Sequence, residues 1–373
     1  MISATHSGQP SMPQRFTSDP RPPFVPSALA ADSSRRGTRA SIGVRSGPTR
    51  SVPPQFGPLA RLLEEPGVTD VFVNATGEVW ADRGEGPSLV RALHLDTPSA
   101  RTLATSLVAL GGRHVDEATP CADVRLSDGI RVHVVLPPIS RGGPLISIRA
   151  PSVVRLSLDD LEAAGLFRDV SRERVLRHVR ARTNLLITGA GGSGKTTLLA
   201  ALLGAASHAE RIVTIEDVSE LRVDHPHVVG LETRQANLEG AGLVDLARLV
   251  REALRMRPDR LVVGECRGEE IRELLGALNT GHDGGAGTLH ANGLETVPAR
   301  LEALGALAGL SPEALARQAV SAFGAVVHLA QTPEGRRITG LAGLAVGSDG
   351  RLQVDAGAGR REDAGATPPT SSS

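Results

Sequence analysis

Apolar positions follow one rhythm in the first part of the chain and another in the second. Between about residues 56 and 149 they come in short alternating runs. Leu59, Leu62 and Leu63 predict a short helix, and 71–73 and 78–80 predict two strands around the turn Asn74-Ala75-Thr76-Gly77. A helix follows from 97 to about 110, with Thr97 or Ser99 as its cap and Gly111-Gly112 as its stop. Three further strands are predicted at 121–126, 130–136 and 145–149, the first two joined by a hairpin turn at Ser127-Asp128-Gly129. Alternation sets Val132, Val134 and Leu136 on one face and Arg131, His133 and Val135 on the other, just as Ile146 and Ile148 oppose Ser147 and Arg149. Arg131, Arg149 and the loop residue Arg141 thus belong either to an ordinary solvated sheet face or to a surface that meets an anion.

After helices expected at 159–167 and 172–182, the pattern becomes continuous apolar runs separated by helical stretches. Strands are predicted at 185–188, 211–215, 228–233, 261–264 and 287–290. Leu243, Leu246, Ala247, Val250 and Leu254 mark one helix, and Ile271, Leu274, Leu275 and Leu278 mark the next. Helices at about 295–307 and 312–323 precede strands near Val326 and Ile338. This alternation predicts an α/β fold: a domain with a mainly parallel sheet flanked by helices (171–354), preceded by a smaller α+β N-terminal domain (53–150) and a linker (151–170). The Pro/Ser/Arg-rich stretch 1–52 and the stretch 355–373 read as a disordered arm and tail.

Composition narrows the function. At 373 residues the chain exceeds one core, and 40% apolar residues suffice for two. Lys plus Arg balances Asp plus Glu at 41 each, aromatics are 2% and tyrosine is absent, which argues against a nucleic-acid groove. Two widely spaced cysteines, Cys121 and Cys266, suit a reducing cytoplasmic setting. No run of 18 apolar residues and no signal-peptide pattern is present, so any membrane contact is expected to be peripheral.

The chemistry concentrates at Gly189-Ala190-Gly191-Gly192-Ser193-Gly194-Lys195-Thr196-Thr197, which follows an apolar strand and opens a helix. The spacing of Gly189, Gly194, Lys195 and Thr196 fits a phosphate-binding P-loop: backbone N–H groups encircle phosphate, Lys195 reaches the β/γ-phosphates and the Thr196 hydroxyl ligates Mg²⁺. Lys195 is the only lysine among the 41 basic residues. A compact ammonium fits between phosphate and loop carbonyls where a planar guanidinium does not. Downstream, Glu265 at the end of an apolar strand reads as a Walker B acid that helps hold the metal. Glu216 and Asp217 end another strand and are either water-polarising acids or a surface cluster. His282 and His290 bracket a glycine-rich segment, either as sensors of the γ-phosphate or as structural histidines.

Taken together, the P-loop, Thr214-Ile215-Glu216-Asp217, Thr233-Arg234-Gln235, Arg255-Met256-Arg257-Pro258-Asp259, Val263-Gly264-Glu265-Cys266-Arg267-Gly268 and Asn279-Thr280-Gly281-His282-Asp283-Gly284 with Thr288-Leu289-His290-Ala291-Asn292 resemble the type II/type IV secretion ATPase superfamily, and Asp123-Val124-Arg125-Leu126 through Pro137-Pro138 to Ser147-Ile148-Arg149 resembles its N-terminal domain. Within it the chain looks most like the CpaF-like ATPases of tight-adherence (Flp) pilus systems. The resemblance implies a RecA-like P-loop NTPase that uses ATP and Mg²⁺, with Glu216 in an Asp box linked to water activation, Glu265 in Walker B, and His282 and His290 in a His box. It also implies a hexameric ring, nucleotide in the cleft between two domains, N-terminal arginines such as Arg149 facing that nucleotide, and an inner-membrane platform protein as partner. A RecA-like DNA-transfer motor or helicase shares the P-loop and Walker B and is the alternative.

Overall fold

The computed structural model describes residues 50–65, 67–84, 86–126, 129–150, 155–234 and 241–357. Most of the expected arm and tail, part of the 127–129 turn and the start of the expected linker lie outside these residues.

Among the described residues, six antiparallel strands form the first sheet: β1 (Asp70–Val73), β2 (Glu78–Asp82), β3 (Pro87–His94), β4 (Cys121–Arg125), β5 (Arg131–Val135) and β6 (Leu145–Arg149). Their order is β3-β2-β1-β6-β5-β4. Helices α1 (Ala60–Glu64) and α2 (Thr97–Leu110) complete this part. Helix α2 buries Ala100, Leu103, Ala104, Leu107 and Val108, a helical face that packs on the inward residues Val124, Val132, Val134, Ile146 and Ile148 of the strands. Its cap differs from expectation: Asp96 accepts the Ser99 N–H, and Thr97 is already the first helical residue. Strand β3 was not predicted, because it is a largely exposed edge strand and lacks an alternating apolar face. Arg50 and Val52, in the expected arm, are buried; Arg50 donates to the carbonyls of Leu63 and Ala150.

The second sheet follows helices α3 (Leu158–Ala163) and α4 (Arg172–Arg180), both shorter than expected. Its elements are β7 (Leu185–Gly189), α5 (Lys195–Gly204), β8 (Ile212–Glu216), β9 (Val228–Glu232), α6 (Leu246–Leu254), β10 (Arg260–Cys266), α7 (Glu270–Leu278), β11 (Ala286–His290), α8 (Val297–Leu307), α9 (Pro312–Ala322), β12 (Ala325–Thr332), β13 (Gly335–Val346) and β14 (Leu352–Asp355). Among the described residues the order is β14-β13-β12-β7-β11-β10-β8-β9. The pairings from β9 to β12 are parallel, and β13 and β14 extend the sheet antiparallel. Leu243, expected on the helix, precedes α6 and is exposed.

Every residue of β7 and β8 is buried, which is why these strands read as unbroken apolar runs. One face, with Leu186, Val213, Ile215, Leu261 and Val263, packs on α6, α7, α8 and α9. The other, with Leu185, Ile187, Ile212 and Val262, packs on α3, α4 and α5. Because these strands are parallel, the ends of β7, β8, β10 and β11 share one edge, the position at which open α/β sheets bind ligands.

Candidate active site

The loop after β7 is built to bring main-chain groups together. Gly194 caps α5 with φ 97°, a left-handed conformation that favours glycine, and turns the chain into the helix. Lys195 follows at once and is only 7% exposed. Its ammonium donates to the carbonyls of Gly189 (3.0 Å) and Ala190 (2.9 Å) and lies 3.4 Å from His290 Nδ1. Burial pulls the Lys195 pKa below the usual lysine value, with Glu265 opposing.

Parallel pairing of β7, β11 and β10 carries the contact sideways. His290 ends β11 opposite Gly189, and its Nε2 lies 2.9 Å from Glu265 Oε1. Burial lowers the histidine pKa, with Glu265 opposing and Lys195 reinforcing. A neutral ring fits the geometry: Nδ1 accepts from Lys195 and Nε2–H donates to the carboxylate. Glu265 Oε2 receives Arg267 at 2.5 Å, and Arg267 reaches Asp217 Oδ2 at 3.6 Å. Burial by itself would raise the Glu265 pKa, but Arg267, His290 and Lys195 outweigh it and hold the carboxyl below its ordinary value. The resulting row is Lys195–His290–Glu265–Arg267–Asp217.

Glu265 lies within β10, one residue before its end, where the register to β11 shifts between Val263 and Cys266. That irregularity re-aims side chains locally. Thr288 Oγ1 donates to the Gly264 carbonyl at 2.6 Å inside it. Gly264 is glycine for a steric reason: a Cβ there would lie 2.6 Å from Glu216 Cγ. Glu216 therefore lies flat against β10, 5% exposed. Its Oε1 accepts the N–H groups of Glu220 (3.0 Å) and Leu221 (2.9 Å), while Oε2 takes no hydrogen bond among the described residues. Burial raises its pKa to about 7 against those two N–H groups, with Glu220 and Glu232 adding repulsion.

A cavity of about 590 Å³ runs from the first turn of α5 to the six-stranded sheet. Gly192, Thr196 and Thr197 line one side and Arg149 the other. Arg336 of β13 closes it near Gly194, and neither Arg149 nor Arg336 has a side-chain hydrogen bond or ion pair among the described residues. Arg131 and Arg149 are direct neighbours across β5 and β6. Arg141 lies in the loop between these two strands, at the end of β6 away from Arg149, and outside the cavity lining. His282 likewise does not join His290. It sits before β11, where its Nδ1 faces the Ala277 carbonyl at the end of α7.

With this geometry in hand, a family model described as "Type II/IV secretion system protein" matches residues 54–332. The chain belongs to that family. A putative conjugal transfer protein of Mycobacterium tuberculosis is 45% identical over 304 residues, covering 80% of this chain and 86% of that protein. The type IV secretion system protein VirB11 of Brucella suis is 31% identical, covering 65% of this chain and 74% of that protein. Among solved structures, the ATPase DotB of Legionella pneumophila aligns over 86% of each chain at 20% identity and a TM-score of 0.51, a likeness in fold. This member of the type II/IV secretion family is thus homologous to secretion-system ATPases.

Sequence reasoning gave no role of their own to Arg125, Arg267 or Arg336, although Arg125 and Arg267 lie in stretches that carry the resemblance. Arg267 was within reach, since it lies two residues beyond Glu265, where a basic side chain can meet the same edge. Arg125 and Arg336 carry no local pattern, because only the strand pairing brings them there.

Proposed function

We propose that this chain is a Mg²⁺-dependent ATPase whose nucleotide lies between the P-loop and the six-stranded sheet. The observation that carries the reading is the convergence of Lys195, His290 and Glu265 on one sheet edge, next to Thr196, which lines a cavity bordered by Arg149, a guanidinium with no hydrogen bond or ion pair among the described residues. Lys195 would exchange its loop carbonyls and His290 for phosphate oxygens, and Arg149 and Arg336 would take further phosphate charge.

The donor set suits magnesium carried on a nucleotide. Among the described residues no group of three or more His, Cys, Asp or Glu could cage a metal, and magnesium is commonly held by one or two carboxylates plus substrate phosphates. Thr196 supplies a hydroxyl, and each Glu265 oxygen keeps a lone pair beyond its present bond. Held by Thr196 and Glu265, magnesium would neutralise phosphate charge. Glu216 Oε2, on a carboxyl with a pKa of about 7, is the proton acceptor for the attacking water, and its two N–H bonds at Oε1 fix its direction.

At the level of the cell, we read the chain as a ring-forming motor, hexameric by resemblance, at the cytoplasmic face of the inner membrane. There it would work on a platform protein of a pilus or secretion system, with the tight-adherence pilus as the favoured system. Among the described residues no helix is long and apolar enough to cross a membrane, so docking is peripheral in this reading. The conjugal-transfer name of the 45% identical relative favours a second reading, a motor for DNA transfer. Phosphate release by the purified chain with ATP and Mg²⁺ tests the enzyme. No turnover in assembled rings would refute it. Stimulation by DNA supports the second reading, and co-purification of an integral membrane protein without DNA stimulation supports the first.

A further inference from the structure

The strand register places three arginines in a single row. Arg125 on β4 is directly opposite Arg131 on β5, which is directly opposite Arg149 on β6. Like charges directly opposite one another destabilise a sheet, so such a row needs anionic or carbonyl partners from outside it. Two of the three find them on the segment that follows β8. Arg125 donates to the Asp217 carbonyl and, at 2.7 Å, to Thr233 Oγ1. Arg131 donates to Glu220 Oε1 at 2.8 Å, and both of these side chains are about 70% shielded from solvent, at 30% and 27% exposure. Only Arg149 is left for the cavity.

The segment so held also shapes the candidate base. The Glu220 N–H and its neighbour at Leu221 are the two donors on Glu216 Oε1. Arg131 therefore grips the side chain of the residue whose main chain grips Glu216, while Arg125 pins the same turn at Asp217. Gly264, where a Cβ would lie 2.6 Å from Glu216 Cγ, leaves room for that side chain against β10.

We propose that Arg131 is a positioning residue: its ion pair with Glu220 latches the six-stranded sheet to the 217–221 turn and so holds the Glu216 carboxylate in its working orientation. The inference rests on the reading of Glu216 as proton acceptor. It assigns Arg131 a role distinct from that of a phosphate-binding arginine, and it makes hydrolysis sensitive to how the first sheet is seated on the second.

The test is a charge exchange in the full-length chain, read by kcat and by ATP affinity separately. Arg131→Gln is expected to lower kcat by about 10- to 10²-fold, the scale of a small misplacement of a catalytic group, and to leave ATP affinity unchanged. Arg131→Glu should be as slow, yet it should fold, because a carboxylate between Arg125 and Arg149 relieves the row; thermal unfolding checks this. The double variant Arg131→Glu/Glu220→Arg should recover most of kcat. Weakened ATP binding in Arg131→Gln, or a double variant no faster than its slower parent, overturns the latch. Glu216→Gln, assayed alongside, separates the two levels: slow Glu216→Gln with an unrescued exchange sinks the latch alone, whereas normal turnover in Glu216→Gln sinks the proton-acceptor reading and the latch with it.

Discussion

The two ends of the parallel strands both carry buried charge, and they use it differently. At the amino end, Arg260 opens β10 and is 3% exposed. It pairs with Glu210 and donates to the carbonyls of Gly284 and Val179, while Arg182 joins the same Glu210 and the carbonyls of Asp259 and Asp283. Each guanidinium there is held inside the chain by fixed partners. At the carboxyl end, Lys195, His290 and Glu265 share a row and their pKa values are displaced, while Arg149 and Arg336, which line the cavity at the first turn of α5, have no hydrogen-bond or ion-pair partner among the described residues. A closed network holds elements together. An open one has interactions still to offer a ligand.

That contrast is sharpest at Lys195. Lys195→Ala should reduce ATP hydrolysis by about 10³-fold or more and weaken nucleotide binding, and Lys195→Arg should be severely impaired as well, because the broader head displaces loop or phosphate. Near-normal turnover in Lys195→Arg would break the steric argument. Glu265→Gln and Glu216→Gln should each fold and lose about 10² to 10⁴ in kcat. Magnesium titration separates them: the Glu265 variant needs more metal for half-maximal rate and the Glu216 variant does not, whereas the reverse would exchange their roles.

At the opposite end the effect should fall on stability. Arg260→Ala leaves Glu210 buried beside Arg182 alone, and is expected to cost about 3 to 5 kcal/mol of unfolding free energy in denaturant titration while kcat per folded molecule is kept. A loss of kcat without loss of stability would erase the distinction between the two ends.

Acidity gives a smaller, graded effect. The rate should fall as pH drops through about 7, when Glu216 takes up the proton it must leave vacant. For stability the sign is the reverse: a carboxyl whose folded pKa lies above its unfolded value contributes stability fully present below the unfolded value, near 4.5, and lost as pH rises through about 7. Glu216→Gln should accordingly be more stable than the parent at pH 8, by on the order of 2 kcal/mol, and gain nothing at pH 4. Equal melting temperatures at pH 8 would show that Glu216 is not held under strain of burial. Smallest of all, Arg141→Ala should leave turnover unchanged, since its loop stands at the far end of β6 from Arg149; a slow variant would place a moving loop at the site.

Local patterns in the chain were enough for the parts that depend on neighbours in sequence. The strand, glycine turn and helix around Lys195 occupy adjacent residues, and their chemistry is written in side-chain size and φ preference, so the loop was legible. The buried parallel strands were legible for a similar reason: with both faces covered they leave unbroken apolar runs, and an acid at such a strand's end reaches the carboxyl edge of the sheet. Edge strand β3 left no such mark, and neither did the Asp96 cap, since Thr97 and Ser99 are equally good capping residue types. What only the tertiary structure decided is who meets whom across strands. Parallel pairing put His290 between Lys195 and Glu265 and left His282 at the other end of β11. Antiparallel register aligned Arg125, Arg131 and Arg149, sent the first two to the turn after Glu216, and reserved the third for the cavity. Those pairings depend on contacts between residues up to about a hundred positions apart in the chain, and no local periodicity encodes them, because register is set by packing of whole faces rather than by the residues that end up opposed.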